Sequence, residues 1–515
     1  MNLKKLTLSL VVLVATLAFA APAFAAIGPQ PVRNVNLQLI GNSPATGAAT
    51  AEISAFDPIS DRLFTTDAAG NQIKVFDLST PSSPVLAFTI PLAAYGATPN
   101  SVTVSPLCGG RIVVAVEANP KTNPGKLVLF NTSGVYLDQE TTGAQPDNVV
   151  TAIGGRRFIS ANEGEPSADG LINPDGTIGI ATLRSCNNIT HQLVGFGGAP
   201  TSGTIRHFSP GASFLQDLEP EFIAPAHGAT ALVTIQEANA VATLDIAAAT
   251  VTSVKGIGFK DHGLPGNGLD PSDRDSAING GINIATYNNV FGMYQPDAIA
   301  SYRLPGDSHA RFITANEGDS RDWTYYSEEA RVKDLTLDPT AFSAADKADA
   351  KLGRLTVTKS LGDTDNDGDY DHLYAFGGRG VSLFSHTGSM TWDSGDNVEQ
   401  YIKANDPANW NADGATGGLD SRSDNKGPEI EGITTGKAFG RMYAFAGSER
   451  EGGIFAFDLR ATPGQAKIAG YVNARATATS PEGILFVDAG NSPSGQPLVI
   501  TTNEVSGNVA IFRVS

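Results

Sequence analysis

LFTTDAAGNQIKVFDL, residues 63–78, gives the unit from which the chain is built: an apolar strand, a small-residue turn carrying an acid, and a second apolar strand. The unit recurs as IVVAVEANPKTNPGKLVLF from Ile112, as FISANEGE from Phe158 with GTIGIATL from Gly176, and as LVTIQEANAVATLDI from Leu232. FITANEGDSRD from Phe312, LYAFGGRGVSLF from Leu373, MYAFAGSEREGGIFAFDL from Met442 and LVITTNEVSGNVAIF from Leu498 bring the hairpins to eight. A further strand precedes most of them, and it often opens on proline followed by Asp, Glu or Asn, at Pro99, Pro146, Pro220, Pro296, Pro428 and Pro481. AEISAF from Ala51 holds the same place without proline. Strand, hairpin and a fourth strand make a four-stranded antiparallel blade, and blades repeated radially predict an all-β propeller. Eight blades are expected with LTVTKS from Leu355 as the innermost strand of the sixth, and seven if that strand belongs to the preceding insertion. The chain ends on a third strand, so VNLQLI from Val35 is expected to supply the outer edge of the last blade and close the ring.

The N-terminus reads as a secretory signal: Lys4 and Lys5, an apolar run from Leu6 to Ala20, and the small-x-small site Ala23-Phe24-Ala25, with cleavage expected after Ala25. Residues 26–515 then form one propeller domain, expected to be a monomer, secreted or periplasmic, with no membrane span after cleavage. Residues 1–25 contain no acid, so losing Lys4 and Lys5 takes the formal charge from −18 to −20. Such a surface repels nucleic acid and anionic lipid and attracts cations. The only cysteines, Cys108 and Cys186, exclude a disulfide scaffold and leave open whether one bridge forms.

With strands named outward from the axis, the strand starts and the turns between second and third strands share one face. Acids converge there: Asp67, Glu117, Glu163, Glu237, Glu317, Glu449 and Glu504 in the turns, with Arg379 in the corresponding place of the sixth unit. Asp147, Glu221, Asp297, Glu429 and Glu482 stand at the strand starts, with Glu431 two residues beyond Glu429. Insertions at about 256–295, 318–352 and 393–427 fall on the same face, where a rigid scaffold carries its sites. They bring Arg321, Arg331, Lys333, Arg422 and Lys426, whose charges suit an anion or simply pair with the neighbouring acids.

DTDNDGDYD, residues 363–371, is the sharpest local motif. Asp363, Asp365 and Asp367 alternate before Gly368 as at the start of an EF-hand loop, with Asp369 following, and calcium is the expected ligand. Position twelve is Tyr374, so Asp371 is the candidate for the missing ligand. The loop reads as a connection from a first to a second strand, which would put it on the opposite face. G-x-S-x-G, H-E-x-x-H and a Walker loop are absent, and the seven histidines are scattered, so any chemistry would run through carboxylates and hard cations.

The phrases ANEGE, ITANEGDSRD, EEARVKDL, DTDNDGDYDHLYAFGGRG, DSRSDNKGPEIEG, AFAGSEREGGIFAFDL and TTNEVSGNVAIFRV together resemble the choice-of-anchor I family of exported propellers. The resemblance covers nearly the whole mature chain, and it implies the fold more than the activity, since relatives are named both alkaline phosphatase and mesenchyme-specific cell surface glycoprotein. Two functions are therefore expected. One is metal-dependent phosphoester hydrolysis, as in propeller phytases, with Glu163, Glu317, Asp319, Glu429 and Glu431 on metal and Arg321 and Arg379 on the phosphate of a small anionic ligand. The alternative is a non-catalytic, calcium-stabilised surface protein that binds a glycan or peptide on the same face.

Overall fold

The structure is a computed structural model that describes residues 30–226, 228–275, 281–414, 417–462 and 464–515. The expected signal segment, 1–25, lies outside the described residues. Among the described residues the fold is almost entirely β, in nine sheets. Seven of these follow the plan read from the sequence, antiparallel meanders in chain order, with a short parallel strand, Thr201–Ser202, added outside the fourth and the N-terminal Leu37–Asn42 returning to complete the seventh. Their first strands are Ser54–Asp57, Thr98–Ser105, Pro146–Ala152, Pro220–Pro225, Ile299–Tyr302, Ile430–Ala438 and Pro481–Val487. These strands neighbour one another in that order, and Pro481–Val487 returns to Ser54–Asp57. The seven sheets are consistent with propeller blades, and no sheet closes on itself as a barrel.

Burial explains the repeat. Middle strands are covered on both faces by adjacent sheets, so Arg111–Glu117 and Arg157–Asn162 are buried along nearly their whole length and read as continuous apolar runs. Outer strands such as Val85–Pro91 face solvent and lose that pattern. Shared apolar clusters join neighbouring sheets; one packs Phe64, Val75 and Ile90 of the first against Val102, Val114 and Val128 of the second. The outer strand of the seventh sheet is Leu37–Asn42, antiparallel to Asn508–Val514, as the unfinished C-terminal unit required.

The sixth hairpin, LYAFGGRGVSLF from Leu373, does not form. Arg311–Asn316 takes Gly380–Phe384 as its partner, Phe312 opposite Phe384 and Asn316 opposite Gly380, so the fifth hairpin is split by the 63 residues between them. Thr356–Thr358, the core of LTVTKS, pairs with Glu329–Arg331 and Leu373–Ala375 inside that insertion and is not the innermost strand of a blade. LYAF carries the apolar pattern of a middle strand, and composition does not say which strand it will meet. The insertion therefore runs to Arg379, beyond the expected end near Leu352, and includes DTDNDGDYD. That loop lies in the connection between second and third strands of the fifth sheet, which corrects its placement on the opposite face.

The first and second insertions merge into one five-stranded mixed sheet, ordered Phe259–Asp261, Val290–Met293, Leu373–Ala375, Thr356–Thr358 and Glu329–Arg331. Leu269, Val332, Leu352, Leu355 and Val357 form its core. In the third insertion the Asn397–Asn405 helix buries Val398 and Ile402, with Trp410, against the fifth and sixth sheets. Cys108 and Cys186 form a disulfide between loops of the second and third sheets. Among the described residues no helix is long and apolar enough to cross a membrane.

Candidate functional site: a carboxylate well

The first strands are built alike where they begin. Gln145, Gln295, Glu429 and Ser480 each adopt positive φ, between 40° and 60°, which turns the chain sharply into the strand. The carbonyl of each accepts a backbone N–H from the turn of its own sheet: Glu163 N to Gln145 O at 2.9 Å, Gly318 N to Gln295 O at 3.1 Å, Glu449 N to Glu429 O at 2.9 Å and Glu504 N to Ser480 O at 2.9 Å. This clamp draws the turn acids against the strand starts. Two residues beyond each kink stands a carboxylate, Asp147, Asp297, Glu431 or Glu482. In five of the seven sheets the register between first and second strands also skips at this place, passing over Asn100, Asp147, Glu221, Glu431 and Glu482. A bulged residue is released from the ladder and can aim its side chain elsewhere.

That elsewhere is a cavity of about 370 Å³ lined by Glu52, Asn100, Asp147, Glu221, Asp297, Glu431 and Glu482, one residue from each of the seven sheets, with no lysine or arginine among its lining. Six of the seven are acids. Burial, reinforced by the neighbouring carboxylates, pushes Glu52 up to about 8 and Asp147 to about 7. Glu221, Asp297, Glu431 and Glu482 are raised well above the usual carboxylate range for the same two reasons. Oε2 of Glu221, Glu237, Glu431 and Glu482 is buried with no hydrogen-bond partner. Such oxygens are costly unless protonated or met by a cation.

Strand-start and turn acids meet at two points on the rim. One oxygen each from Asp147, Glu163 and Glu221 lie within 4.8 Å of one another, and so do oxygens of Glu317, Glu431 and Glu449. An all-oxygen set with orphaned acceptors fits a hard divalent cation, which takes six to eight oxygens, better than a soft one. In DTDNDGDYD a third such set joins Asp363, Asp365 and Asp371; Asp367 and Asp369 stand outside it. Asp363 accepts from the amides of Asp367 at 3.2 Å and Gly368 at 3.1 Å, and Gly368 has a φ of 99°.

The remaining site residues read from the sequence are occupied by partners. Glu429 sits at the kink, one residue before the proline position, where Arg422 at 2.5 Å, Arg450 at 3.4 Å and Lys426 at 3.5 Å enclose it and help hold its carboxyl below the usual range. Lys426 reaches Glu317 at 2.6 Å and Asp319 at 3.5 Å. Arg321, 1% exposed, donates to Glu219 at 2.6 Å and to the Asp217 carbonyl at 3.0 Å, stacked near Phe208. Arg379, 2% exposed, donates to Glu399 at 3.0 Å and to the carbonyls of Asp270, Ser423 and Asn425 at 3.0, 2.7 and 2.9 Å. It thus ties the end of the second insertion to the first and third. Arg331 pairs with Asp424 at 2.8 Å and Lys333 with Asp349 at 3.1 Å. Glu52 and Glu219 were not singled out in the sequence, although Glu52 follows Ala51 at the place where other first strands carry Pro and an acid.

A family model described as "Choice-of-anchor I domain" matches residues 52–462. "Gigasin-3a" from Magallana gigas is 34% identical over 188 residues, covering 32% of this chain and 66% of its own length. "Mesenchyme-specific cell surface glycoprotein" from Strongylocentrotus purpuratus is 29% identical over 222 residues, 36% of this chain and 28% of its own. The chain therefore spans under two thirds of either relative. Among solved structures, a β-propeller domain of Cps50 (Swd1) from Myceliophteria thermophila aligns with 93% of this chain and all of its own, at 9% identity and a TM-score of 0.47.

Proposed function

The chain belongs to the choice-of-anchor I family, and from that premise we propose that it is a non-catalytic extracellular binding protein: a closed seven-bladed propeller, residues 26–515, whose acidic well is loaded with calcium. The observation that carries this reading is the well itself, six carboxylates from six sheets with no cationic side chain in its lining. Asp147, Glu163 and Glu221 on one side, and Glu317, Glu431 and Glu449 on the other, would hold the ions. The metal supplies charge and open coordination positions for oxygen groups of a glycan or peptide. The protein's own residues fix the rim through the kinked strand starts and keep Arg422 on Glu429, while Lys426 and Arg450 reach Glu317 and Glu449 at 2.6 and 3.0 Å and would have to yield part of that contact to an ion in the second cluster.

Phosphoester hydrolysis is less well supported, because Arg321 and Arg379 are buried and engaged with acids and carbonyls of the chain itself. Equilibrium dialysis against calcium, on wild type and on the Asp147→Asn/Glu221→Gln double variant, tests the reading. Wild type should bind at least one more ion than the variant at millimolar calcium, and equal stoichiometry would overturn the assignment. A panel of phosphomonoesters and diesters, assayed with calcium, with EDTA and with Glu317→Gln, should show no turnover; metal-dependent turnover lost in that variant would restore the hydrolase.

A further inference from the structure

The face opposite the well carries a pocket of reversed charge. It lies between the fifth and sixth sheets, where the loops from first to second strand emerge, and has a volume of about 520 Å³, within the range of ligand sites. Its charged lining is Arg303, Lys437, Arg441 and Arg460 against a single acid, Asp307, in a chain of formal charge −18. Asp307 is already spent, since both its carboxylate oxygens accept from Arg311, at 3.0 and 2.8 Å. Arg441 is answered by Asp458 at 2.7 Å.

Among the described residues the other three cations have no carboxylate partner. Arg303 donates Nε and Nη2 to the carbonyls of Asp307 and Ser308 at 2.9 to 3.2 Å, and Arg460 donates Nη1 to the carbonyl of Gly440 at 3.4 Å. Carbonyls fix the direction of a guanidinium and leave its charge and remaining N–H groups free. Lys437 is exposed and has no partner among the described residues. Next to it, Arg33 donates to the carbonyl of Phe439 and lies 5.2 Å from that ring, so positive charge continues beyond the pocket.

We propose that this pocket docks an acidic polysaccharide, whose carboxylate or sulfate groups are taken by Arg303, Lys437 and Arg460. Planar guanidinium forks suit such oxyanions. The apolar part of the lining is Leu304, Pro305 and Met442, and the adjacent Phe439 ring already carries Arg33, so the lining itself offers no aromatic row on which nucleic-acid bases stack, which favours a sugar polyanion over a single-stranded nucleic acid. The disulfide fits an oxidising compartment. This site is independent of the calcium well.

The test is retention of the full chain on immobilised dextran sulfate, alginate and neutral dextran at 50 mM salt in EDTA, which prevents calcium on the opposite face from bridging to the glycan. Binding to either or both acidic polymers, none to neutral dextran, and a loss of at least tenfold in Lys437→Glu/Arg460→Glu are expected, as is steep weakening at 200 mM salt. Arg303→Met serves as a second, milder variant, with melting temperatures confirming that both fold. Absence of binding to both polymers, or equal binding by the variants, overturns the proposal. Equal affinity for a single-stranded oligonucleotide or a poly-glutamate peptide overturns the choice of a glycan.

Discussion

Raising the pH from 7 to 8.5 in the absence of divalent ions should destabilise this protein. The acids of the well have folded-state affinities for protons above their unfolded values, Glu52 at about 8 and Glu221, Asp297, Glu431 and Glu482 well above the usual range. Below the unfolded values, about 4.3 for Glu and about 3.9 for Asp, both states are protonated and nothing is lost. Above them the folded state retains protons that the unfolded chain has released, so stability falls until the folded groups also ionise. Each proton still held costs about 1.36 kcal/mol per pH unit, or about 2 kcal/mol across this window. The carboxylates share one cavity, so a proton on one relieves its neighbours and the total is less than the sum over the ring. Starting at pH 7 avoids His262, depressed to about 3, which acts in the opposite direction as pH rises through 6.5. Calcium should abolish the slope, because a bound cation replaces the protons, and at a hundredfold excess over its dissociation constant it adds about 2.7 kcal/mol. Urea unfolding followed by far-UV circular dichroism, in EDTA and in calcium, measures both effects. A stability in EDTA that is flat or rises between pH 7 and 8.5, or a slope unchanged by calcium, would refute the reasoning.

Arg379→Gln should cost about 3–5 kcal/mol, as expected when one member of a buried ion pair is removed, and should expose the three insertions to limited proteolysis. A variant within about 1 kcal/mol of wild type with an unchanged digestion pattern would show that Arg379 is not their common tie. In DTDNDGDYD, Asp365→Ala should remove one calcium-dependent step in thermal unfolding while leaving the ions of the well in place. If the calcium shift is unchanged, the Asp363, Asp365 and Asp371 cluster is not a cation site.

The repeated unit was legible because middle strands are buried on both sides and therefore write long apolar runs into the sequence. Strand pairing was not, and LYAF from Leu373 shows why: its pattern satisfies a middle strand in either sheet, and only the three-dimensional partner, Gly380–Phe384 with Arg311–Asn316, decides. The acids at the strand starts were visible through the Pro-acid pairs. Glu52 was missed for want of its proline, and Glu429 was given the place that belongs to Glu431, because the kink at Glu429, with its positive φ, moves the strand start two residues on, from Pro428 to Ile430. The convergence of turn and strand-start acids on the rim depends on backbone hydrogen bonds to the kinked residues, which no side-chain pattern announces. The fates of Arg321 and Arg379 depend on Glu219 and Glu399, residues about 100 and 20 positions away, so charge alone could not separate a ligand-binding arginine from a structural one.

The seventh sheet joins Leu37–Asn42 to Asn508–Val514, the two strands farthest apart in the chain. Until the last strand has been synthesised, the first has nothing to pair with, and its apolar residues Val35 and Leu37 have no cover from the seventh sheet. Closing so long a loop is slow, and partially folded chains with unpaired edges are aggregation-prone. A molecule truncated even a few residues early would therefore carry its defect at both ends of the sequence at once, displaying two sticky edges in place of a sealed seam.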